Sequence, residues 1–340
     1  MTARRLRASL KGWGGVGAMA VACALAVVFA LLLPLSSARG DGSTGIGGQG
    51  VAKGTQAKAQ DCTDPQNQSL SPSTDESGDA ITAIKKRGYL SVGVDQNSYR
   101  WGYRNPNPKD PKKGSDLEGF DIDLVHRIAE EILGSPDLVR FHAIPTNQRI
   151  PAIQSGQVDM VVRTMTITCE RLDLVAFSAP YFLTGQQVLA PTTSSITGYN
   201  KSLAKKKICS ATGSTAYDKL DADQKSGELV SSADISTTVP NQLDCLVRLQ
   251  LGQVDAVVTD GALAASQAAQ DPTVALKGHT FTTEYYGVAM KLGSNDLVRR
   301  VNQVLADYRK SGWQTSYDKW LAPTLGADSP SQNPPAAQYK

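Results

Sequence analysis

The chain has 340 residues, of which 41% are hydrophobic, 20% are charged and only 6% are aromatic. Neither a collagen-like nor a wholly disordered chain has enough apolar residues to build a core, so both classes are excluded. A multipass membrane protein is excluded as well, because only one apolar run in the sequence exceeds about 18 residues. The length predicts two compact units with flanking segments.

The apolar run lies at the N-terminus and predicts export. It spans residues 16–35, follows four basic residues with no acid among them, and precedes the small residues Ser36, Ser37 and Ala38. This layout is typical of a secretory signal over residues 1–38, although the run is also long enough for an uncleaved membrane anchor. In either case we expect the remainder to be extracellular, either secreted or associated with the cell surface.

The formal net charge of +3 belongs to this N-terminal segment. Without residues 1–38 the chain keeps 31 basic and 32 acidic residues, a net charge of −1. A chain this balanced has no basic field that attracts nucleic acid, so we expect no nucleic-acid partner.

Four cysteines remain after export: Cys62, Cys169, Cys209 and Cys245. An even number outside the cytoplasm predicts two disulfides, and the sequence alone allows three pairings. A zinc site needs closely spaced Cys or His, and no two of these cysteines lie within four residues of each other. We therefore predict neither a metal nor a cofactor.

Polar segments flank the predicted folded part. Residues 39–79 nearly lack aliphatic side chains, which predicts a flexible tether that Cys62 pins if it is cross-linked. Residues 45–50 match G-x-G-x-x-G, but no strand precedes the match and no amphipathic helix follows, so we reject a nucleotide-binding motif. Residues 327–340, with three prolines, predict a loose tail.

Helical and strand patterns alternate between these flanks. A helix is predicted over residues 80–87 before Gly88, and Leu90, Val92 and Val94 then alternate as in a strand. Apolar residues recur at helical spacing over residues 120–133, before Gly134. Continued alternation predicts an α/β fold with largely parallel sheets.

An internal repeat indicates two lobes of similar construction. Residues 153–162 (IQSGQVDMVV) match residues 249–258 (LQLGQVDAVV) at seven of ten positions. Each copy has the pattern of a helix end, a Gly cap and a buried strand. Coincidence between two ordinary α/β units is the alternative. Polar residues follow each strand, over 163–168 and 259–261, and ligands gather at such strand ends, so we expect one cleft between two facing lobes.

Arg171 is the leading candidate for binding an anion in this cleft. It lies in the first turn of a helix predicted to begin near Thr168 and to run toward Phe177. A guanidinium there can hold a carboxylate with two parallel hydrogen bonds, and Thr164 and Thr166 add hydroxyl donors. The alternative is an arginine on a solvated first turn.

The second lobe offers two further candidates. Residues 207–215 predict a short strand that turns through Gly213 into a helix capped by Ser214 or Thr215. Ordinary capping explains these two residues as well as ligand binding does. Asp260 follows a Val-rich strand, where a carboxylate can accept hydrogen bonds from an ammonium group, or can be a simple loop residue. Together with Arg171 it would bind both ends of an α-amino acid.

Five segments of the chain resemble family 3 extracellular solute-binding proteins, which serve ABC importers of polar amino acids. The segments are residues 117–124 (LEGFDIDL), 164–171 (TMTITCER), 177–181 (FSAPY), 286–289 (YGVA) and 312–320 (GWQTSYDKW). The resemblance covers about residues 80–323. It implies a two-lobe periplasmic-binding-protein type II fold, with residues 80–184 and 290–323 in the first lobe, 189–284 in the second, and a hinge of two crossing strands.

The resemblance also implies roles for the candidate residues. Arg171 matches the arginine that binds the ligand α-carboxylate, assisted by Thr166 and by the backbone of Thr164. Asp260 matches the acid that binds the α-amino group, and Ser214 and Thr215 lie in a turn that touches the ligand. Glutamine binders of the family often have Lys where this chain has Ala211, which weakens a simple assignment to glutamine.

Five further segments are residues 104–106 (RNP), 148–149 (QR), 208–210 (ICS), 244–245 (DC) and 284–287 (EYYG). On these the chain most resembles, within the family, actinobacterial glutamate-binding proteins. There the arginine that matches Arg149 meets the side-chain carboxylate of the ligand, and Thr146 matches a neighbouring hydroxyl. Arg163 adds positive potential. The alternative for Arg149 is a surface residue before a helix that contains Pro151.

The same resemblance favours one disulfide pairing and one mode of action. Cys209 then pairs with Cys245 inside the second lobe, and Cys62 ties the tether to Cys169 of the first. The ligand is expected to be glutamate, with aspartate or glutamine as alternatives, bound by a monomer that closes and docks on membrane permease subunits.

Two other classes of function stay open. A sensor would use the same cleft to signal to a membrane partner. A few relatives on this fold are dehydratases of cyclic acids, and such an enzyme would need a general acid, for which Asp95 and Glu284 are candidates. Asp95 is also a candidate ligand-binding residue. The sequence lacks G-x-S-x-G, H-E-x-x-H and a P-loop, so we predict a binding protein and not an enzyme.

Overall fold

The structure is a computed structural model that describes residues 62–107, 117–326 and 329–340. The predicted signal or anchor, the first part of the tether and the G-x-G-x-x-G match lie outside the described residues. Within the described ranges, no helix has both the length and the hydropathy needed to cross a membrane.

Helices and strands alternate along most of the described chain. The α-helices are α1 Asp79–Arg87, α2 Phe120–Leu133, α3 Arg149–Gln154, α4 Cys169–Leu172, α5 Thr215–Ser226, α6 Gln242–Gln250, α7 Gly261–Gln270, α8 Asn295–Ser311, α9 Trp313–Trp320 and α10 Ala322–Leu325. The β-strands are β1 Leu90–Val94, β2 Asn97–Ser98, β3 Gly102–Arg104, β4 Leu117–Glu118, β5 Val139–Ala143, β6 Met160–Val161, β7 Ala176–Phe177, β8 Phe182–Thr184, β9 Gln186–Pro191, β10 Lys207–Ala211, β11 Asp234–Val239, β12 Ala256–Asp260, β13 Val274–Lys277, β14 Glu284–Tyr286 and β15 Ala289–Met290. This arrangement is the predicted α/β fold.

Each lobe has its own five-stranded sheet. The first-lobe order is β5-β1-β6-β15-β7, and the second-lobe order is β11-β10-β12-β9-β13. The strands nearest the repeat are parallel: β1 pairs with β5 and β6, and β10 pairs with β11 and β12. Antiparallel strands complete both sheets, because β15 returns to the first lobe from the second, and β9 enters the second lobe from the first.

Two antiparallel strands cross between the lobes. β8 pairs with β14 in a separate two-stranded sheet, with Glu284 opposite Thr184 and Tyr286 opposite Phe182. Aromatic rings pack around this crossing, since Trp101 contacts both Phe182 and Tyr286 edge to face. The crossing is therefore anchored in the first-lobe core, from which the second lobe extends.

Local sequence signals explain where the helices end. Helix α2 has the predicted bounds of 120–133, and Gly134 ends it with a φ of 79°. Helix α1 begins one residue earlier than predicted, at Asp79. Helix α4 is shorter than predicted and stops at Leu172, because residues 176–177 pair with β15 as strand β7 instead of continuing the helix.

Both disulfides have the pairing that the resemblance implies. Cys62 is bonded to Cys169, and Cys209 is bonded to Cys245, with Cα atoms 5.8 and 5.6 Å apart. The first bond attaches the chain before α1 to the first lobe. The second links strand β10 to helix α6 within the second lobe, so neither bond joins the two lobes.

The described flanking residues follow the surface of the first lobe. The Ser69 hydroxyl donates to the carbonyl of Phe177 at 2.8 Å, and the backbone N–H of Lys340 donates to the carbonyl of Ser69 at 3.0 Å. Ser331 in the tail is buried. These segments lack an apolar core of their own, and they are held to the first lobe by a disulfide, by hydrogen bonds, by the ion pair of Glu76 with Arg300 and by Leu70, which packs against the first-lobe core.

Candidate ligand-binding site

A small polar cavity lies between the two lobes, and both of them line it. The lining residues are Arg149, Thr164, Thr166, Arg171, Ser214, Thr215, Ala216, Gln242, Thr259 and Asp260. The first lobe supplies the segment after β6 together with α3 and α4, and the second supplies β12 and the first residues of α5 and α6. Seven of the predicted site residues therefore meet in one place.

Arg171 projects from the short helix α4. The Thr168 hydroxyl caps this helix by accepting from the Arg171 backbone N–H at 3.3 Å. The Arg171 guanidinium donates from Nη1 to the carbonyl of Thr166 at 2.8 Å and from Nη2 to the carbonyl of Gly213 at 3.2 Å. Burial lowers the pKa of Arg171, an effect that Asp218 and three other nearby carboxylates oppose. The side chain is thus buried and held by one carbonyl from each lobe.

Arg149 is the second buried arginine of the cavity. Its Nε donates to the carbonyl of Thr146 at 2.8 Å, Nη1 to that of Arg163 at 3.3 Å and Nη2 to that of Gly213 at 3.2 Å. Only 3% of the residue is exposed, so the alternative of a surface arginine is wrong. Burial, followed by the nearby charges of Arg171 and Arg163, lowers the pKa of Arg149.

Arg149 and Arg171 differ from Arg163, the third buried arginine of this region, in the groups that they contact. Arg163 has an ion pair, with Nη2 2.9 Å from Asp95 Oδ2. Within the described part of the chain, Arg149 and Arg171 form no ion pair, and their guanidinium groups donate to backbone carbonyls instead. A carbonyl carries only a partial charge, so two buried guanidinium groups face the cavity with no carboxylate in direct ion-pair contact among the described residues.

Gly213 lets the second lobe approach these arginines. Its φ is 75°, and a Cβ at this position would lie 3.1 Å from the Cα of Asn147 in the first lobe. A side chain here would be strained by the backbone and would press the lobes apart. Glycine therefore allows one carbonyl to accept from both Arg149 and Arg171.

Asp260 supplies the negative charge of the cavity from the end of β12. The Tyr286 hydroxyl donates to its Oδ2, and only 7% of the residue is exposed. Burial and the neighbouring carboxylate of Glu284 raise the pKa of Asp260, whereas Tyr286 and the two arginines lower it. The site therefore places a carboxylate of the second lobe opposite guanidinium groups of the first.

Ser214 and Thr215 combine capping with a place in the cavity wall. The Ser214 hydroxyl accepts from the backbone N–H of Tyr217 at 3.2 Å, which caps helix α5, and donates to the carbonyl of Ala211 at 2.7 Å. The Thr215 hydroxyl donates to Glu284 Oε2 at 3.0 Å. Both hydroxyl groups are thus oriented by second-lobe or hinge residues.

Thr146, Arg163 and Asp95 do not line the cavity: Thr146 and Arg163 hold the lobes together beside it, and Asp95 pairs with Arg163. Arg163 is fully buried and donates to the Thr146 hydroxyl at 3.0 Å and to Oδ1 of Asn241 in the second lobe at 3.1 Å. Thr146 donates to Gln242 Oε1 at 3.2 Å, again across the lobes. Asp95 accepts from Ser98 and from two backbone N–H groups in addition to its ion pair.

Sequence reasoning missed several residues of this region. Gln242 and Thr259 line the cavity, and Tyr286 and Asn241 bond to its charged residues. A signal existed for Thr259, which precedes Asp260 in the strand. For Gln242 and Asn241 the sequence shows only a helix start, and nothing in it reports that this helix faces the other lobe.

Larger cavities lie elsewhere, of about 600 Å³ beside the Cys62–Cys169 bond, about 520 Å³ beside the hinge and about 400 Å³ beside α6. No arginine lines the first two, and every residue that lines the third belongs to the second lobe. No cluster of three or more His, Cys, Asp or Glu able to hold a metal ion occurs among the described residues. The polar cavity between the lobes is therefore the candidate site.

Comparison with known proteins assigns the family. Residues 90–323 match bacterial extracellular solute-binding proteins, family 3, and the chain belongs to that family. It is 32% identical to the ABC transporter glutamine-binding protein GlnH of Bacillus subtilis, over 72% of this chain and 85% of the relative. It is 28% identical to the glutamate-binding protein GluB of Corynebacterium efficiens, over 75% of this chain and 84% of the relative.

A solved structure supports the same assignment. The solute receptor for L-cysteine of Neisseria gonorrhoeae has a TM-score of 0.67 and 26% identity, over 75% of this chain and 99% of that one. The two-lobe type II fold implied by the sequence is thereby confirmed. Members of this family are extracellular, in agreement with the predicted export.

Proposed function

We propose that this protein is the extracellular amino-acid-binding component of an ABC importer and that its ligand is glutamate. The observation that carries the proposal is the charge of the cavity. Arg149, Arg171 and Asp260 line it, and neither arginine has an ion pair within the described residues. Two guanidinium groups and one carboxylate fit a ligand with two carboxylates and one ammonium group.

The α-amino acid end of the ligand fits the Arg171 and Asp260 side of the cavity. Arg171 is proposed to bind the α-carboxylate with two parallel hydrogen bonds, and Asp260 to accept from the α-ammonium. Thr164 and Thr166 add donors beside Arg171. Because these groups come from different lobes, the ligand stabilises the closed arrangement, which excludes water and strengthens each charged contact.

Arg149 decides between an acidic and a neutral side chain. Its guanidinium is buried, faces the same cavity and is held in place by three backbone carbonyls. A side-chain carboxylate neutralises this charge, whereas the amide of glutamine leaves it without a counterion. The charge balance therefore favours glutamate or aspartate over glutamine, although one of the relatives binds glutamine.

The number of contacts agrees with useful affinity. Charge-assisted hydrogen bonds contribute about 1.5–3 kcal/mol each. Three or four of them, less the cost of ordering ligand and lobes, suffice for roughly micromolar binding at about −8 kcal/mol. The closed form then docks on permease subunits of the importer. The relatives are solute-binding proteins, which supports binding without chemical change of the ligand.

Calorimetry with glutamate, aspartate and glutamine tests the proposal. The wild-type protein is expected to bind glutamate more tightly than glutamine. R149Q keeps a polar but shorter side chain and removes the charge, so it should weaken glutamate about thirtyfold and glutamine by less than about fivefold. Equal losses for both ligands would remove Arg149 from side-chain recognition.

A matched control separates charge in the cavity from charge in general. Arg127 on α2 forms ion pairs with Glu130 and Glu131 outside the cavity, so R127Q is expected to leave both affinities unchanged. Recovery of the ligand unchanged and equimolar with protein excludes the dehydratase alternative. Turnover of any candidate acid would reject the proposal.

A further inference from the structure

Thr164 has an unusual backbone conformation at the edge of the cavity. Its φ is 41°, in the left-handed region that β-branched residues rarely adopt. A residue in this region is strained and persists only where its surroundings hold it. Thr164 lines the cavity. Its backbone angles therefore set the direction in which the segment after β6 places its side chains and N–H groups.

A buried carboxylate holds this conformation. Asp121 is the second residue of helix α2 and is 1% exposed. Its Oδ2 accepts from the backbone N–H of Thr164 at 3.1 Å, and its Oδ1 accepts from the Tyr181 hydroxyl at 2.9 Å. The backbone N–H of Asp121 donates elsewhere, to the carbonyl of Trp101. The carboxylate therefore joins helix α2 to the cavity segment and to Tyr181.

Asp121 has no ion pair among the described residues, although Arg163 is close enough to affect it. The neighbouring arginine pairs with Asp95 instead. Burial raises the pKa of Asp121 to about 7, an effect that Tyr181 and the Thr164 N–H oppose. A carboxylate kept in so unfavourable a place without a counterion indicates that its two hydrogen bonds matter to the fold or to the site.

We propose that Asp121 is a positioning residue for the ligand: by accepting from the Thr164 N–H it fixes the left-handed turn that sets Thr164, Thr166 and Arg171 around the ligand carboxylate. This inference rests on the proposed function, because it assumes an amino-acid ligand in this cavity. In this proposal, a residue that does not touch the ligand contributes to the affinity for the ligand. A hydrogen-bond acceptor is required at this position, and a negative charge is not.

Three variants test this division of roles. D121A removes both hydrogen bonds and should lower the affinity for L-glutamate at least about tenfold in calorimetry. D121N keeps an oxygen for the Thr164 N–H and turns its NH2 toward the Tyr181 oxygen, so its affinity should stay within about threefold of wild type. Y181F removes only the other hydrogen bond of the same carboxylate, so it should lower the melting temperature but keep the affinity within about threefold.

A ligand-free measurement separates failure of the inference from failure of the proposed function. Hydrogen exchange of the Thr164 amide in the empty protein should be at least about tenfold faster in D121A than in wild type, D121N or Y181F. If wild-type protein binds no L-glutamate, the proposed function fails and the exchange rates still decide the inference.

The inference is overturned by any of three results. Exchange of the Thr164 amide that is equal in D121A and wild type would show that Asp121 does not hold the turn. An affinity of Y181F reduced as much as that of D121A would indicate a general structural role. If D121A does not fold, D121N alone decides, because a tenfold loss of affinity in D121N would mean that the charge is required.

Discussion

The two copies of the repeat begin alike and end differently. In each a glycine ends the helix in the left-handed region, Gly156 with a φ of 75° and Gly252 with a φ of 65°. Each then enters a central strand that pairs with a parallel neighbour, β6 with β1 and β12 with β10. Beyond the strands the copies diverge, because β6 has two residues and β12 has five.

The length of the strand decides how many side chains reach the cavity. Strand β12 stays paired with β9 as far as Asp260, and helix α7 follows at once, so this lobe presents Thr259 and Asp260 there. After β6 the chain leaves the sheet, and an isolated antiparallel bridge between Thr166 and Tyr286 holds it. In this bridge the Ile167 N–H donates to the Tyr285 carbonyl at 2.8 Å, and the Gly287 N–H donates to the Met165 carbonyl at 3.0 Å. Such a loop points several side chains toward one ligand. One scaffold thus gives a cationic, hydroxyl-rich end and an acidic end.

We expect the largest effect on ligand affinity at the cationic end of the cavity, which the loop after β6 helps to form. R171A removes the group proposed to bind the α-carboxylate and leaves that carboxylate buried without its partner, so we expect L-glutamate affinity to fall more than about a hundredfold. R171K keeps the charge but loses the two parallel hydrogen bonds, and should recover only part of the loss. Calorimetry measures both, and wild-type affinity in R171A would refute the carboxylate role.

The acidic end is expected to give a smaller effect that depends on pH. Burial and Glu284 raise the pKa of Asp260 in the empty protein, and an incoming ammonium group lowers it again. Binding below the raised pKa therefore releases a proton, and affinity falls as the pH falls through that value. D260N should weaken binding about tenfold and abolish this part of the pH dependence.

Calorimetry in buffers with different heats of ionisation counts the protons released. Asp121 is the other buried acid near the cavity, but it does not line it. D121N is therefore the control variant for the loss of a buried carboxylate outside the cavity. The same proton release in D260N and wild type would contradict the assignment of Asp260 to the ammonium group.

A third test concerns a hydrogen bond that joins the two lobes beside the cavity. Arg163 of the first lobe donates to Asn241 of the second beside the cavity at 3.1 Å, so we expect opening of the lobes to break this hydrogen bond. N241A should therefore weaken L-glutamate about three- to tenfold and increase the radius of gyration of the empty protein. N241S keeps an oxygen able to cap helix α6 but is too short to reach Arg163.

Affinity loss in both Asn241 variants, with lower melting temperature in N241A alone, is the expected pattern. If N241S binds as the wild type does, the loss in N241A comes from the helix cap and the contact across the lobes has no part in closure.

Much of the lining of the candidate site could be predicted from the sequence, because the signals for those residues are local. Gly134 and the apolar spacing fixed the bounds of α2, and the polar residues after each central strand led to Arg171 and Asp260. Contacts between lobes have no local signal. Nothing before the structure indicated that Arg163 pairs with Asp95 and bonds to Asn241, or that the N–H of Thr164 donates to a helix more than forty residues earlier. These contacts depend on how the lobes close and on backbone angles that apolar spacing does not report.

The smallest expected effect concerns the glycines at the helix ends, which the two copies of the repeat share. A Cβ added at Gly156 or Gly252 would meet no atom within 4 Å, so G156A and G252A differ from wild type only in backbone strain. Alanine in the left-handed region costs about 1 kcal/mol, which lowers the melting temperature by roughly 1–2 °C in a chain of this size. Thermal unfolding should give similar shifts for both variants, and calorimetry should give wild-type affinity. A loss of affinity in G156A alone would mean that the helix end before β6 also positions the cavity loop, and the two copies would then differ in function from their first residues onward.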